Sequence, residues 1–282
     1  MWLFLPVAHS SVSLSPFCIL HPLSPMTTSP TDLSQTTYGR VRRHDYSAAI
    51  LPWGATEPHN LHLPYLTDTL LAHAVARDAA ELALRLYDVR AMVLPPVSMG
   101  SQNPGQRDLP FCLHYSYDTQ RSILTDTVAS LHHQGLRRLL IVNGHGGNTF
   151  KSMVRDLAVA YPDFIILTSE WFKVVPARDY FEQPGDHADE LETSVMMHYH
   201  PELVHPDEAG DGASRRFALP TLRDGVAWMP RHWDMVSSDT GIGDPRRATA
   251  DKGKRFAAAV AARYAQLLCE LAGAHTIRDL YE

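Results

Sequence analysis

The chain alternates short, almost continuously apolar runs with longer amphipathic stretches. The predicted strands cover 48–54, 89–97, 137–144 and 163–171, and the predicted helices between and after them cover 69–87, 118–136 and 148–162. Strands that are apolar on both faces, each followed by a helix, are typical of a parallel sheet covered by helices on both sides. The sequence therefore predicts an α/β fold with a mostly parallel central sheet flanked by helices on both faces.

The two ends of the chain depart from this alternation. The first 25 residues contain no Lys or Arg and are interrupted by four prolines, which argues against a secretory signal and against a transmembrane helix. We interpret residues 1–40 as a leader that is disordered or mis-assigned, with Met26 as the true start, and we expect 41–282 to form a single domain. The remaining segments are a predicted helix over 187–200, an irregular Gly- and Pro-rich stretch over 201–245 and a terminal helix over about 246–272.

Composition excludes several classes of protein. With 45% apolar residues and a net charge of -6 over 282 residues, the chain is not of the disordered type. It has no long basic run, so neither nucleic acid nor a membrane surface is an expected partner. Its 3 cysteines show no CxxC spacing, which favours reduced thiols and a cytoplasmic location. The 16 histidines direct attention to metal ligands.

Polar residues follow the first predicted strand, at the edge of a parallel sheet where ligands bind. In extended backbone, Glu57 and His59 can present a carboxylate and an imidazole to the same side. Asp68, just before the next predicted helix, could return to the same pocket and bridge two metal ions. The alternative is that Asp68 and Thr67 cap that helix and that Glu57 and His59 are solvated loop residues.

A glycine-rich sequence, NGHGGN at 143–148, follows the third predicted strand. Its glycines permit a tight turn and a close approach to the backbone, and Asn148 could cap the following helix. The sequence matches neither GxGxxG nor a Walker pattern, so a phosphate-handling loop is only the alternative. We interpret His145, at the end of a strand, as a metal ligand.

A third group of polar residues, GDHADELETS at 185–194, marks the start of a predicted helix. Carboxylates at this position are common because the helix dipole favours them, which is the alternative to a functional site. If His187 and one carboxylate both serve a site, His187 should precede the first regular turn. Spacing alone does not choose between Glu190 and Glu192.

Taken together, GATEPHNLHLPYLTDT, NGHGGN and GDHADELETS resemble the creatininase (creatinine amidohydrolase) family, in the same order and over about residues 45–200. The resemblance implies a three-layer sandwich and a homo-oligomer, possibly a hexamer. It implies two divalent metal ions per chain with Asp68 bridging them, and a general acid/base at His187. The implied metal ligands are Glu57, His59, Asp68, His145 and Glu192.

The chemistry implied by the resemblance is hydrolysis of a C–N bond in a small cyclic amide or formamide by a metal-bridging hydroxide, with Zn, Mn or Fe as the metal. The alternatives are a peptide-trimming member of the same family and a non-catalytic binding or assembly protein on the same fold. Creatinine-hydrolysing members carry an aromatic residue and a Glu where this chain has Gly146 and Gly147. That difference argues against creatinine as the substrate.

Candidate substrate contacts lie in the loop after the second predicted strand. They are Gln102, Asn103, Gln106, Arg107 and His114, with Trp171 as a further candidate at the end of the fourth strand. The alternative for the loop is a solvated or subunit-interface segment, because polar residues collect in loops in any case. The tryptophans Trp171, Trp228 and Trp233 could equally belong to the core or to an interface.

Overall fold

The computed structural model describes residues 29–183 and 185–282, so Met26 and the greater part of the proposed leader lie outside the described residues. Four strands form one sheet: β1 (Ala48–Trp53), β2 (Ala91–Val93), β3 (Arg138–Asn143) and β4 (Ile165–Glu170). Their order is β2-β1-β3-β4, and all three neighbouring pairs are parallel. The predicted parallel sheet is confirmed.

Helices cover both faces of this sheet. The α-helices of the described residues are α1 (Tyr38–Val41), α2 (Thr67–Tyr87), α3 (Tyr117–His133), α4 (Lys151–Ala160), α5 (Glu190–Tyr199), α6 (Pro220–Arg223), α7 (Trp233–Val236) and α8 (Ala250–Gly273). Apolar side chains of α2, α5 and α8 pack in one core cluster, and those of α3 and α4 pack in a second. The sheet separates the two clusters, so the fold has three layers. No helix among the described residues combines the length and the apolar run that a membrane span requires.

The central strand β1 shows why these runs had to be apolar throughout. Ala48 and Ile50 point into the cluster with α2 and α8, whereas Ala49, Leu51 and Trp53 point into the cluster with α3 and α4. Successive strand residues face opposite sides of the sheet, so a strand buried on both sides cannot alternate apolar with polar residues. All six residues of β1 are buried.

Several element boundaries differ from the predicted ones. The second strand ends at Val93 because Pro95 and Pro96 follow shortly and lack the N–H that a ladder requires, and only Val97 pairs again, with Trp53. The fourth helix begins at Lys151, after Phe150 at its N-cap, so Asn148 does not cap it.

Residues 29–35, which the sequence analysis set apart with the leader, pack against the edge of the sheet. The N–H of Val93 donates to the carbonyl of Thr31 at 2.8 Å, and the N–H of Leu33 donates to the carbonyl of Val93 at 2.9 Å. The side chain of Asp32 is fully buried there. This part of the chain therefore extends the hydrogen bonding of β2.

The strand order fixes where a site can form. From β1 the chain runs to β2 on one side, and β3 lies on the other side, so the connections diverge between β1 and β3. In parallel α/β sheets ligands bind in the crevice at this point, outside the carboxyl ends of the strands. Trp53 and Asn143 are paired in register at this edge, and the sequences beginning at Gly54 and Gly144 follow directly.

Candidate metal centre

Two glycines allow the first turn of α2 to pack directly onto the ends of β1 and β3. A Cβ atom at Gly54 would lie 2.4 Å from the amide nitrogen of Thr69, and one at Gly144 would lie 2.3 Å from the carbonyl oxygen of Asp68. Both distances are far below van der Waals contact, so any larger residue would push α2 away. The glycines thereby place Asp68 between the two strand ends.

Asp68 lies in the first turn of α2 and faces two histidines rather than the helix backbone. Its Oδ1 is 3.1 Å from Nε2 of His59, and its Oδ2 is 3.2 Å from Nδ1 of His145. The N-cap residue is Leu66, and no side chain caps the helix. Glu57 and His59 are 1% and 0% exposed, so the solvated-loop alternative is wrong. One oxygen of Asp68 thus faces His59, and the other faces His145.

The start of α5 resolves the choice between Glu190 and Glu192. Oε2 of Glu192 is 3.9 Å from Nε2 of His59 and accepts a hydrogen bond from the N–H of Ala188 at 2.6 Å. Glu190 is fully buried on the other side, where it pairs with Lys252 of α8 at 2.5 Å. Glu192 faces the cluster, whereas Glu190 ties α5 to α8. His187 lies ahead of the first regular turn, which begins at Glu190.

The three histidines share one hydrogen-bonding pattern. A backbone carbonyl lies 3.1 Å from Nδ1 of His59, 2.7 Å from Nε2 of His145 and 2.9 Å from Nε2 of His187. A carbonyl oxygen can only accept, so each of these nitrogens must carry the hydrogen. The second nitrogen of each ring is turned toward carboxylate oxygens. Histidines that bind metal are commonly held in this way.

Among the residues that the structure describes, three groups of side chains that could hold a metal ion have ligand atoms within 4.8 Å of one another. They are Glu57 with Asp68 and His145, His59 with Asp68 and Glu192, and Glu57 with His59 and His187. The first two groups share Asp68. Two adjacent cations could therefore occupy this cluster with one carboxylate between them. We call the five residues Glu57, His59, Asp68, His145 and Glu192 the metal-centre cluster.

Burial and mutual charge strongly shift the pKa values of this cluster. Burial lowers the pKa of His59, but Asp68, Glu192 and Glu57 more than offset this and raise it to about 10. Burial raises the pKa of Glu192 to about 8, with Asp68 and Asp189 adding to the effect against His59. Both shifts have the same direction: the buried carboxylates favour added positive charge at this site, which a metal cation could supply.

His187 differs from the other two histidines. Burial lowers its pKa, the charge of His59 lowers it further, and the carboxylates offset this only in part. Its Nδ1 is 3.7 Å from Oε1 of Glu57, and its ring lies 5.3 Å from that of Trp233 in an edge-on arrangement. His187 also lines the cavity beside the cluster. It therefore lies beside the cluster and faces the same cavity.

A cavity of about 990 Å³ opens onto the cluster, and it includes only some of the predicted substrate contacts. Gln102 and Asn103 line it, whereas Arg107 and His114 are exposed and do not. Arg107 lies in the short turn Gln106–Asp108, and Nδ1 of His114 accepts a hydrogen bond from the N–H of Gln102 at 3.0 Å. Trp171 is 0% exposed and packs edge-on against Phe256 of α8, so it belongs to the core.

Two polar residues have roles that their sequence positions did not indicate. Gln106 is buried, and its amide donates to Oε2 of Glu57 at 2.5 Å, so it holds a carboxylate of the cluster rather than facing the cavity. Asn148 donates to the carbonyl of Gly54 at 3.1 Å and accepts from the N–H of Ser101 at 3.2 Å. It thereby ties the loops after β1, β2 and β3 together. A polar residue close to a strand end was the only sequence signal for either.

The fold and the cluster define a class of protein. A doubly covered parallel sheet with buried carboxylates and imidazoles at its switch point is the arrangement of a metal-binding α/β enzyme. The sequence profile of the creatininase family, described as creatinine amidohydrolase, matches residues 32–268. The chain therefore belongs to the creatininase family of hydrolases, and the resemblance seen in the sequence is confirmed.

Relatives with different activities are found within this family. A mycofactocin precursor peptide peptidase from Mycobacterium ulcerans is 33% identical over 227 residues, covering 75% of this chain and 80% of the relative. A creatinine amidohydrolase from Pseudomonas putida is 27% identical over 183 residues, covering 57% of this chain and 68% of the relative. A crystal structure from Bacteroides fragilis, provisionally assigned as a creatinine amidohydrolase, is 57% identical with a TM-score of 0.86, covering 90% of this chain and 99% of that one.

Proposed function

We propose that the protein is a dinuclear metal-dependent amidohydrolase that cleaves a C–N bond, with the metal-centre cluster as its ligands. The observation that carries this proposal is that two groups of three ligand side chains share Asp68. A carboxylate with one oxygen toward each group is suited to bridging two cations. One solved relative is a creatininase of a Zn–Zn type and another a creatininase with Mn, which favours Zn or Mn here, and Fe is the third candidate.

The side chains present fit two divalent ions. Oδ2 of Asp68 is buried and lies 3.2 Å from Nδ1 of His145, but the two atoms are not aligned for a hydrogen bond. A buried carboxylate oxygen without a well-formed hydrogen bond is unfavourable unless a cation or a proton meets it. The carboxylates and imidazoles are ligands that Zn, Mn and Fe accept. When bound, such ions polarise a carbonyl group and lower the pKa of water, so that a nucleophile is available near neutral pH.

His187 has the geometry of the general acid/base. The carbonyl of Pro58 fixes its hydrogen on Nε2, which leaves Nδ1 to exchange a proton. It lines the cavity beside Glu57 and Asp68, within reach of a substrate amide bound there. Nδ1 would take a proton from the attacking water and deliver it to the departing nitrogen. The ring of Trp233 limits how far His187 can rotate.

Two classes of substrate are compatible with this chemistry. The family resemblance favours a small cyclic amide or formamide. A peptide is the second candidate, and the peptidases among the relatives and the cavity of about 990 Å³ favour it, because this volume is at the upper end for small-ligand pockets. A Cβ atom at Gly147 would lie 2.4 Å from Nε2 of His145, so the Glu of creatinine-hydrolysing members does not fit this backbone.

Metal content per chain tests the proposal most directly. Protein purified without chelator should contain about two ions per chain, and Asp68→Ala should contain fewer than one because both groups lose a ligand. The matched control is Asp118→Ala, which removes an exposed carboxylate from the first turn of α3. If the unmodified protein contains no metal, and added Zn or Mn leaves its melting temperature unchanged, the proposal fails and a binding or assembly role on this fold takes its place.

A substrate panel then separates the candidates. Metal-loaded protein is incubated with cyclic amides, N-formyl compounds and short peptides, and new amino groups are detected by mass spectrometry. Turnover of peptides alone would support the peptidase alternative. A stabilising effect of phosphate with indifference to chelators would instead indicate a phosphate-handling protein that uses the NGHGGN loop.

A further inference from the structure

A second cavity lies beside the one that opens onto the metal-centre cluster. It has a volume of about 960 Å³ and shares four lining residues with the first: Gly185, Phe217, Met229 and Arg231. The two cavities therefore adjoin along these four residues. The combined space exceeds what a single small molecule needs, since ligand pockets of that kind measure roughly 300–1,000 Å³. We call the second cavity the arginine groove.

The charged side chains that line the arginine groove are all positive. Its lining contains four arginines, Arg215, Arg216, Arg223 and Arg231, and no Asp or Glu. Arg223 donates to the carbonyl of Phe217, and Arg231 pairs with Asp186 at 2.6 Å. The side chains of Arg215 and Arg216 are exposed and form no hydrogen bond or ion pair within the part of the chain that the structure describes. Two positive charges in the groove are thus uncompensated.

Apolar side chains lie between these arginines. Phe217, Leu219, Leu222, Met229 and Met235 line the same groove, and Leu219 and Met235 are 60% and 64% exposed. Apolar surface interrupted by unpaired guanidinium groups is complementary to a chain that carries both carboxylates and apolar side chains. A small neutral amide has no carboxylate that could pair with these arginines.

We infer that the arginine groove binds an acidic segment of a peptide substrate, with Arg215 and Arg216 as its anion-recognising residues. The inference rests on the peptide alternative of the proposed function and deepens it. The scissile amide would lie at the metal-centre cluster, and the acidic segment would extend past Arg231 into the groove. Binding energy from this remote segment would position the amide.

Fluorescence anisotropy tests the inference with a defined probe. The probe is a fluorescein-labelled peptide of about ten residues, which reaches roughly 35 Å when extended, and glutamate alternates with leucine in its sequence. Its matched control contains glutamine in place of every glutamate. Binding is measured on the metal-loaded His187→Gln protein, so that hydrolysis does not interfere. The glutamate peptide should bind roughly tenfold more tightly than the glutamine peptide, and this preference should shrink as salt is added.

Two double variants locate the binding. Arg215→Gln/Arg216→Gln should remove most of the preference for glutamate, a change of about three- to tenfold. Arg155→Gln/Arg263→Gln removes the same charge from two exposed arginines that line neither cavity, and it should leave the preference intact. Equal affinity for the two peptides, or an equal effect of the two double variants, would overturn the inference.

Further outcomes separate the inference from the proposed function. If the arginines govern binding but the protein holds no metal and cleaves no amide, the proposed function fails and the groove assignment stands. If neutral peptides are cleaved at a rate that Arg215→Gln/Arg216→Gln leaves unchanged, and the protein shows no preference for glutamate, the function stands and the groove assignment is wrong. A change of oligomeric state in this variant with unchanged peptide affinity would instead indicate a contact between copies of the chain.

Discussion

The metal-centre cluster and the irregular segment over 201–245 meet at the same cavity but are built differently. The cluster lies on strand ends and helix starts, and His59 and Glu57 are almost completely buried. The irregular segment contains only α6, α7 and short turns, and Trp228 on it is 85% exposed. One wall of the cavity is therefore held by the core, and the other by a surface segment.

Because the two walls of the cavity differ in burial, we expect them to contribute differently to activity. In the cluster, the imidazole of His59 is oriented by a backbone carbonyl and Glu57 by Gln106, so contacts within the protein hold the ligand side chains in place. On the irregular segment, exposed side chains can vary without disturbing the sheet. The chemistry should therefore be sensitive to single substitutions in the cluster, whereas substitutions on the outer wall should change which substrate is preferred.

The largest expected effect within this comparison is that of His187→Gln. Loss of a general acid/base lowers kcat by about 10²- to 10⁴-fold, while metal content should stay at the value of the unmodified protein because the five ligands are untouched. Metal analysis and turnover on the same sample provide the measurement. His133→Gln, an exposed histidine at the end of α3, is the control. Unchanged kcat in His187→Gln would remove this residue from the mechanism.

A matched pair of glycines tests how rigid the cluster is. A Cβ atom at Gly147 would lie 2.3 Å from the carbonyl of Ser101 and 2.4 Å from Nε2 of His145, whereas one at Gly146 has nothing within 4 Å. Gly147→Ala should cost about 1–3 kcal/mol through this overlap and should weaken metal binding by displacing His145. Gly146→Ala should change neither. Melting temperature and chelator competition measure the two effects, and equal behaviour of the two variants would mean that the loop adapts freely.

The sequence predicted the cluster better than it predicted the cavity walls, for a physical reason. An apolar run such as the one over 48–54, and the polar residues after it, can be recognised from the local sequence alone. Because the strands are parallel, their carboxyl ends meet at one edge of the sheet, so the polar residues that follow them come together. The position of Asp68 between the strand ends depends on the close approach of α2 to Gly54 and Gly144. That approach is visible only in the packed structure. Trp171 and Arg107 illustrate the limit, because packing against Phe256 buries the first and a short turn exposes the second.

The smallest expected effect lies on the outer wall, at Trp228. Its indole lines the cavity but is 85% exposed and lies outside the metal-centre cluster, so removing it should weaken substrate binding without altering the chemical step. Trp228→Ala should raise KM about three- to tenfold with kcat nearly unchanged, as expected when an interaction is equal in the bound and transition states. Tyr281→Ala, which removes a ring that is 77% exposed near the C-terminus, is the control. A large fall in kcat for Trp228→Ala would show that the irregular segment takes part in catalysis, and the division between the two walls would then not hold.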